Sequence, residues 1–140
     1  MNKVKTFFLG MAMLAVLVSS CKKKDKKSED PQPDLKTEAS ITIYSPTTGQ
    51  QFDHGATVTI SGKIESDEQL HGYKLIIRQK SDNSEKYVEN AHTHSKTIEF
   101  SETWDVDVEG HQDMELEVIG ILDHDGNTIT KKIDFHCHGH

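Results

Sequence analysis

Nine histidines lie in the last 87 positions of a 140-residue chain and none before residue 54. Two groups are dense: His92-Thr93-His94, and His136-Cys137-His138-Gly139-His140 at the C-terminus. On an extended strand, residues i and i+2 point to the same side about 6.6 Å apart, so paired imidazoles reach one metal ion at about 2.0–2.1 Å. His136, His138 and His140 therefore form a candidate three-rung metal ladder, with His92 and His94 a smaller one. Neutral imidazole suits Zn(II), Cu(II) and Ni(II), while a thiolate from Cys137 would favour Cu(I) or Zn(II). On a regular strand Cys137 shares the face of Ile133 and Phe135, opposite the histidines; it joins their ion only if Gly139 makes the tail irregular. Otherwise Cys137 is a small buried apolar residue. Isolated histidines such as His54 and His111 read as solvated surface, and a pH-sensing role has no residue that singles it out.

The elements that must position these residues are strands. Apolar residues alternate with polar ones at Ile41/Ile43, Val58/Ile60/Ile64, Tyr73/Leu75/Ile77, Tyr87-Val88, Ile98/Phe100, Met114/Leu116/Val118 and Ile129/Ile133/Phe135, with no sustained helical period. Turn signals fall between them: Pro46 to Gly49, Asp53 to Gly55, Ser81 to Ser84, Glu109-Gly110 and Asp125 to Asn127. About seven short strands in roughly 100 residues predict an all-β fold, a single seven-stranded antiparallel immunoglobulin-like (fibronectin-III-like) sandwich, with a small barrel as the alternative. Trp104, near the end of the fifth strand, reads as a core plug. If consecutive strands reverse direction, alternate loops share a pole. His71, His92, His94 and His124, His71 and His124 being further candidate metal ligands, then gather at one end, beside Asp67, Glu68, Asp123 and Asp125. The terminal cluster joins His54 and His111 at the other.

From Ala39 onward there are 18 Asp and Glu against 8 Lys and Arg, a net charge of −10 with neutral histidine. A phosphate backbone is repelled by such a domain, which excludes nucleic acid as a partner and favours cations. No nucleophile elbow or phosphate-cradling glycine loop is present, so no enzyme is expected. Asp123-His124-Asp125-Gly126-Asn127 has oxygen ligands at calcium-loop spacing, but its glycine falls at the fourth position instead of the sixth. It reads as a hairpin turn.

At the other end, Lys3 and Lys5 precede an apolar run over residues 7–18 and the small residues Ser19-Ser20 before Cys21. Val18-Ser19-Ser20-Cys21 resembles a bacterial lipoprotein lipobox. This resemblance implies a signal peptide over residues 1–20 and acylation of Cys21, a membrane anchor of more than one chain. The apolar run is shorter than the roughly 20 residues that span a bilayer. Residues 22–34 carry no apolar side chain to bury, so residues 21–38 are a solvated tether and residues 39–140 the folded domain. With Cys21 acylated, Cys137 is the one remaining thiol and an intramolecular disulfide is excluded.

Cys21 with its charged linker looks like the small lipoproteins of Bacteroidetes-type bacteria, which implies an outer-membrane lipoprotein in the cell envelope. Lys22, Lys23 and Lys24 depart from the acidic pattern that favours the cell surface, leaving the periplasmic and outer faces both open. Residues 43–52, Gly55, Val58 to Gly62, Leu116 to Val118 and Asp123 to Asn127 resemble bacterial immunoglobulin-like lipoprotein modules of unknown function. Two functional expectations result. One is a histidine-rich envelope module binding Zn or Cu. The other is a non-catalytic structural module that binds another envelope protein or a glycan.

Overall fold

The computed structural model describes residues 37–140, all within the compact unit Leu35–His140. The signal peptide, Cys21 and all but the last two residues of the tether lie outside the described residues. Eight strands follow in order: β1 (Ala39–Ser45), β2 (Gln51–Asp53), β3 (Thr57–Leu70), β4 (Gly72–Gln79), β5 (Ser84–Ala91), β6 (Ser95–Asp105), β7 (His111–Ile121) and β8 (Thr128–His138). They form two sheets, β1-β3-β6 and β2-β8-β7-β4-β5. This is an immunoglobulin-like sandwich. Seven strands coincide with the alternating runs; the eighth, β2, carries a single apolar residue, Phe52, too little to register as a period-two pattern. It also corrects the all-antiparallel expectation. Pro46 to Gln50 carry the chain from the small sheet to the edge of the large one, where β2 lies parallel to β8.

Alternation explains the core. Ile41, Val58, Ile60, Ile64, Ile98 and Phe100 from the three-stranded sheet meet Leu75, Ile77, Met114, Leu116, Val118, Phe135 and Cys137 from the five-stranded one. Tyr73 packs against Phe100 across the sandwich with the rings tilted and their centres 5.6 Å apart. Trp104, partly buried, packs edge-on to Phe135 and helps close one end of the core, as the sequence led one to expect.

The outer face of the large sheet is laced by charge. Arg78 pairs with Glu117 and Glu85, and Lys132 with Glu115 and Glu117. The Arg78 guanidinium is the main reason the Glu117 carboxyl titrates below its usual range. The Asp123 turn fixes the geometry that matters most. Asp123 Oδ1 accepts from the amides of Asp125 and Asn127, Oδ2 accepts from the Asn127 side chain, and the Leu122 amide donates to the Asn127 carbonyl. This Asx-type turn occupies the carboxylate that a calcium loop would need, and it sets the β7–β8 register from Ile121↔Thr128 out to His111↔His138.

Candidate metal centre

Because Met114, Leu116, Phe135 and Cys137 face the core, their neighbours His111, Asp113, His136 and His138 stand on the outer face of the large sheet. The register places Asp113 beside His136 and His111 beside His138, while β2 sets Gln51 beside His136 and Asp53 beside His138. Two rows of three residues on three neighbouring strands result. His111, His136 and His138 each bring a ring nitrogen within 4.8 Å of the others. Their ring centres are 4.8, 4.9 and 5.8 Å apart. An ion about 2.0–2.1 Å from a ligating nitrogen lies roughly 3.2 Å from that ring's centre, so rings sharing one tetrahedral ion stand about 5.2 Å apart. The three observed separations lie on either side of that value.

Hydrogen bonds prepare the nitrogens. Asp113 Oδ1 lies 2.8 Å from His136 Nδ1. An ionised carboxylate only accepts, so Nδ1 of His136 carries the hydrogen and Nε2 of the neutral ring keeps its lone pair. His138 Nε2 lies 3.0 Å from Gln51 Oε1, which assigns its hydrogen to Nε2 and makes His138 Nδ1 the acceptor. The partner of that lone pair is His111 Nδ1, at 2.8 Å. A metal ion held by both Nδ1 atoms would take the place of this hydrogen bond, the His111 proton moving to its Nε2. Oxygen partners on the non-ligating nitrogens orient metal-bound histidines and raise their basicity, and Asp113 and Gln51 stand in those positions.

The structure rearranges the terminal ladder. β8 ends at His138, and Gly139 packs so closely on the β6–β7 loop that a Cβ there would lie 2.1 Å from the Val108 carbonyl oxygen. The Gly139 amide donates to the Gly110 carbonyl, and the Gly110 amide to that of His140. His140 is thereby turned out of the ladder and onto His54, ring centres 3.9 Å apart. Its rung is filled from β7 by His111, which corrects the expectation from sequence that this residue is solvated surface. Counting outward from the Asp123 turn would have found it.

Cys137 is also corrected as a ligand. Gly139 does break the strand, but only after Cys137, whose side chain stays fully buried on the core side. Burial pushes its thiol up to about 11. The expected outcome is that Cys137 resists alkylation at pH 8 in the folded protein and reacts at the rate of a free thiol in denaturant, because the thiolate is the nucleophile. Rapid labelling of the native chain would refute this placement.

His71, His92, His94 and His124 meet at the opposite pole. Ring centres are 3.9 Å apart for His71–His124, 4.8 Å for His71–His94, 4.7 Å for His92–His94 and 6.4 Å for His94–His124. Gly72 makes this convergence possible. Its φ of +141° suits glycine, and a Cβ would lie 2.2 Å from the Ala91 carbonyl oxygen, so the β3–β4 joint sits directly against the chain entering His92. The nine histidines thus sort into a trio, a pair and a quartet.

No protein-family model and no curated protein matches the sequence. Solved structures similar to the chain include a fibronectin(III)-like module of CbhA from Clostridium thermocellum, at 16% identity and TM-score 0.47, covering 70% of this chain and 94% of that one. A second is an AA10 lytic polysaccharide monooxygenase from Streptomyces lividans, at 15% identity and TM-score 0.41, covering 64% of this chain and 58% of that one. A third is a CARDB domain of a Pyrococcus furiosus protein in complex with di-metal ions, at 9% identity and TM-score 0.38, covering 71% and 91%.

Proposed function

We propose that the chain is a cell-envelope lipoprotein, anchored through acylated Cys21, whose immunoglobulin-like domain binds a divalent transition metal at His111, His136 and His138. The observation that carries this reading is the ring spacing of the trio, together with Asp113 and Gln51 on its other nitrogens. Zn(II) and Cu(II) fit an all-imidazole set. Cu(I), which prefers sulfur, loses its thiolate ligand because Cys137 is in the core. The excess of carboxylates on the domain draws cations toward the site.

Metal analysis and calorimetric titration of the whole chain, purified without an affinity tag, test the metal role. The unchanged protein should bind one more equivalent of tight ion than the chain carrying His136→Ala and His138→Ala. Equal binding by both would remove the metal role and leave the module that binds an envelope protein or glycan in first place. Anchoring has its own test: the native mature protein should begin at acylated Cys21 by mass spectrometry, and Cys21→Ser should leave the protein unprocessed or soluble. A mature chain beginning elsewhere would overturn it.

A further inference from the structure

We infer that the opposite pole is a second, independent site for a divalent transition metal, held by His71, His94 and His124 with His92 as a fourth imidazole. Three loops build it: the single residue between β3 and β4, the β5–β6 loop, and the loop closing the β7–β8 hairpin. The His71 amide donates to the Ile121 carbonyl, which pins this pole to one end of β7 while His111 begins the other. Ten residue steps along an antiparallel strand span about 34 Å, so the two centres cannot share an ion.

Among the described residues only the trio has ring nitrogens within 4.8 Å of one another, so the rings of this pole crowd together but must turn to share an ion. Rings on one tetrahedral ion stand about 5.2 Å apart. The His71–His94 and His92–His94 separations, 4.8 and 4.7 Å, lie near this value, while His94–His124, at 6.4 Å, must close by about an ångström. His71–His124, at 3.9 Å, must open by about an ångström, which loop backbone allows more readily than paired strands.

The independent observation is at His71. Its Nδ1 is buried and has no hydrogen-bond partner among the described residues. A buried polar nitrogen left unpaired is costly, and it persists in native proteins where something else satisfies it. Around it stand other imidazoles, where a structural role would have called for a carbonyl or hydroxyl. Asp123 lies nearby, but its carboxylate is taken up by the turn. The donor set is therefore nitrogen only, which selects Zn(II), Cu(II) or Ni(II) over the oxygen-seeking Ca(II) and Mg(II).

The test removes the first centre and asks whether an ion remains. In the whole chain carrying His111→Ala, His136→Ala and His138→Ala, calorimetry with Zn(II) should still show about one bound equivalent. Electron paramagnetic resonance of added Cu(II) should show coupling to imidazole nitrogens. Adding His92→Ala and His94→Ala should weaken that binding by more than about 100-fold, since altering even the partners of ligands costs 10–100-fold. Both rings are exposed, so the fold is expected to tolerate their loss. As a second measurement that leaves the first centre intact, His92→Ala with His94→Ala in the otherwise unchanged protein should lower the stoichiometry from two to one. A triple variant that binds no ion, or one indifferent to His92 and His94, would overturn this site without touching the reading of the first.

Discussion

Leu116→Ala should destabilise the domain by about 2–5 kcal/mol, the range for deleting a fully buried leucine side chain to leave a cavity. Leu116 is completely inaccessible and lies in the middle of β7, paired with Ile77 of β4 on one side and Ile133 of β8 on the other. Its side chain belongs to the single cluster that joins the two sheets, so no neighbour can move in without opening a gap elsewhere. Domains of this size are stable by only about 5–15 kcal/mol, and each kcal/mol shifts the melting temperature by roughly 4–8 °C. A fall of roughly 10–30 °C is expected, with the denaturant slope unchanged. Thr130→Ala, an exposed position on β8, is the control and should change stability by less than about 0.5 kcal/mol. Equal effects at the two positions would mean that the inward and outward faces have been exchanged.

The second large effect is on metal binding, and it separates a folded centre from an adhesive tail. Removing His136 and His138 together should cost one bound equivalent, the ion of this centre, and His111→Ala alone should weaken that ion more than about 100-fold, while His140→Ala should leave it unchanged. A disordered tail reverses that order, because its affinity depends on His140 and owes nothing to a residue 25 positions upstream. Preorganisation supplies the difference: β7 and β8 hold all three ligands in register before the ion arrives, so little ordering cost opposes binding. The ion should also stabilise the fold, by about 4 kcal/mol when its concentration is 1,000 times the dissociation constant. Melting temperature measured with and without Zn(II) checks this. An ion that binds without raising it would count against a site built into the native sheet.

Much of this could be read from the residues alone. Alternation at Ile41 to Phe135 located seven strands and their inward faces, because the period-two pattern is local and one face of each strand must be dry. Reversal of successive strands was enough to bring His71, His92, His94 and His124 to one pole, since only direction matters there. The same alternation put Cys137 opposite the histidines that flank it.

Tertiary structure decided the rest, and in each case through pairing between distant segments. β2 owes its existence to a parallel partner, β8, that lies more than 80 positions away, and three residues with one apolar side chain carry no pattern of their own. His111 became a ligand only when the hairpin turn at Asp123 fixed its register against His138, because a shift of one residue would have sent its ring into the core. His140 left the ladder because Gly139 follows the backbone of the Val108 to Gly110 loop, a contact between segments about 30 residues apart. Residue type and spacing determined which side chains could ligate a metal; strand register and one close backbone contact determined which of them meet.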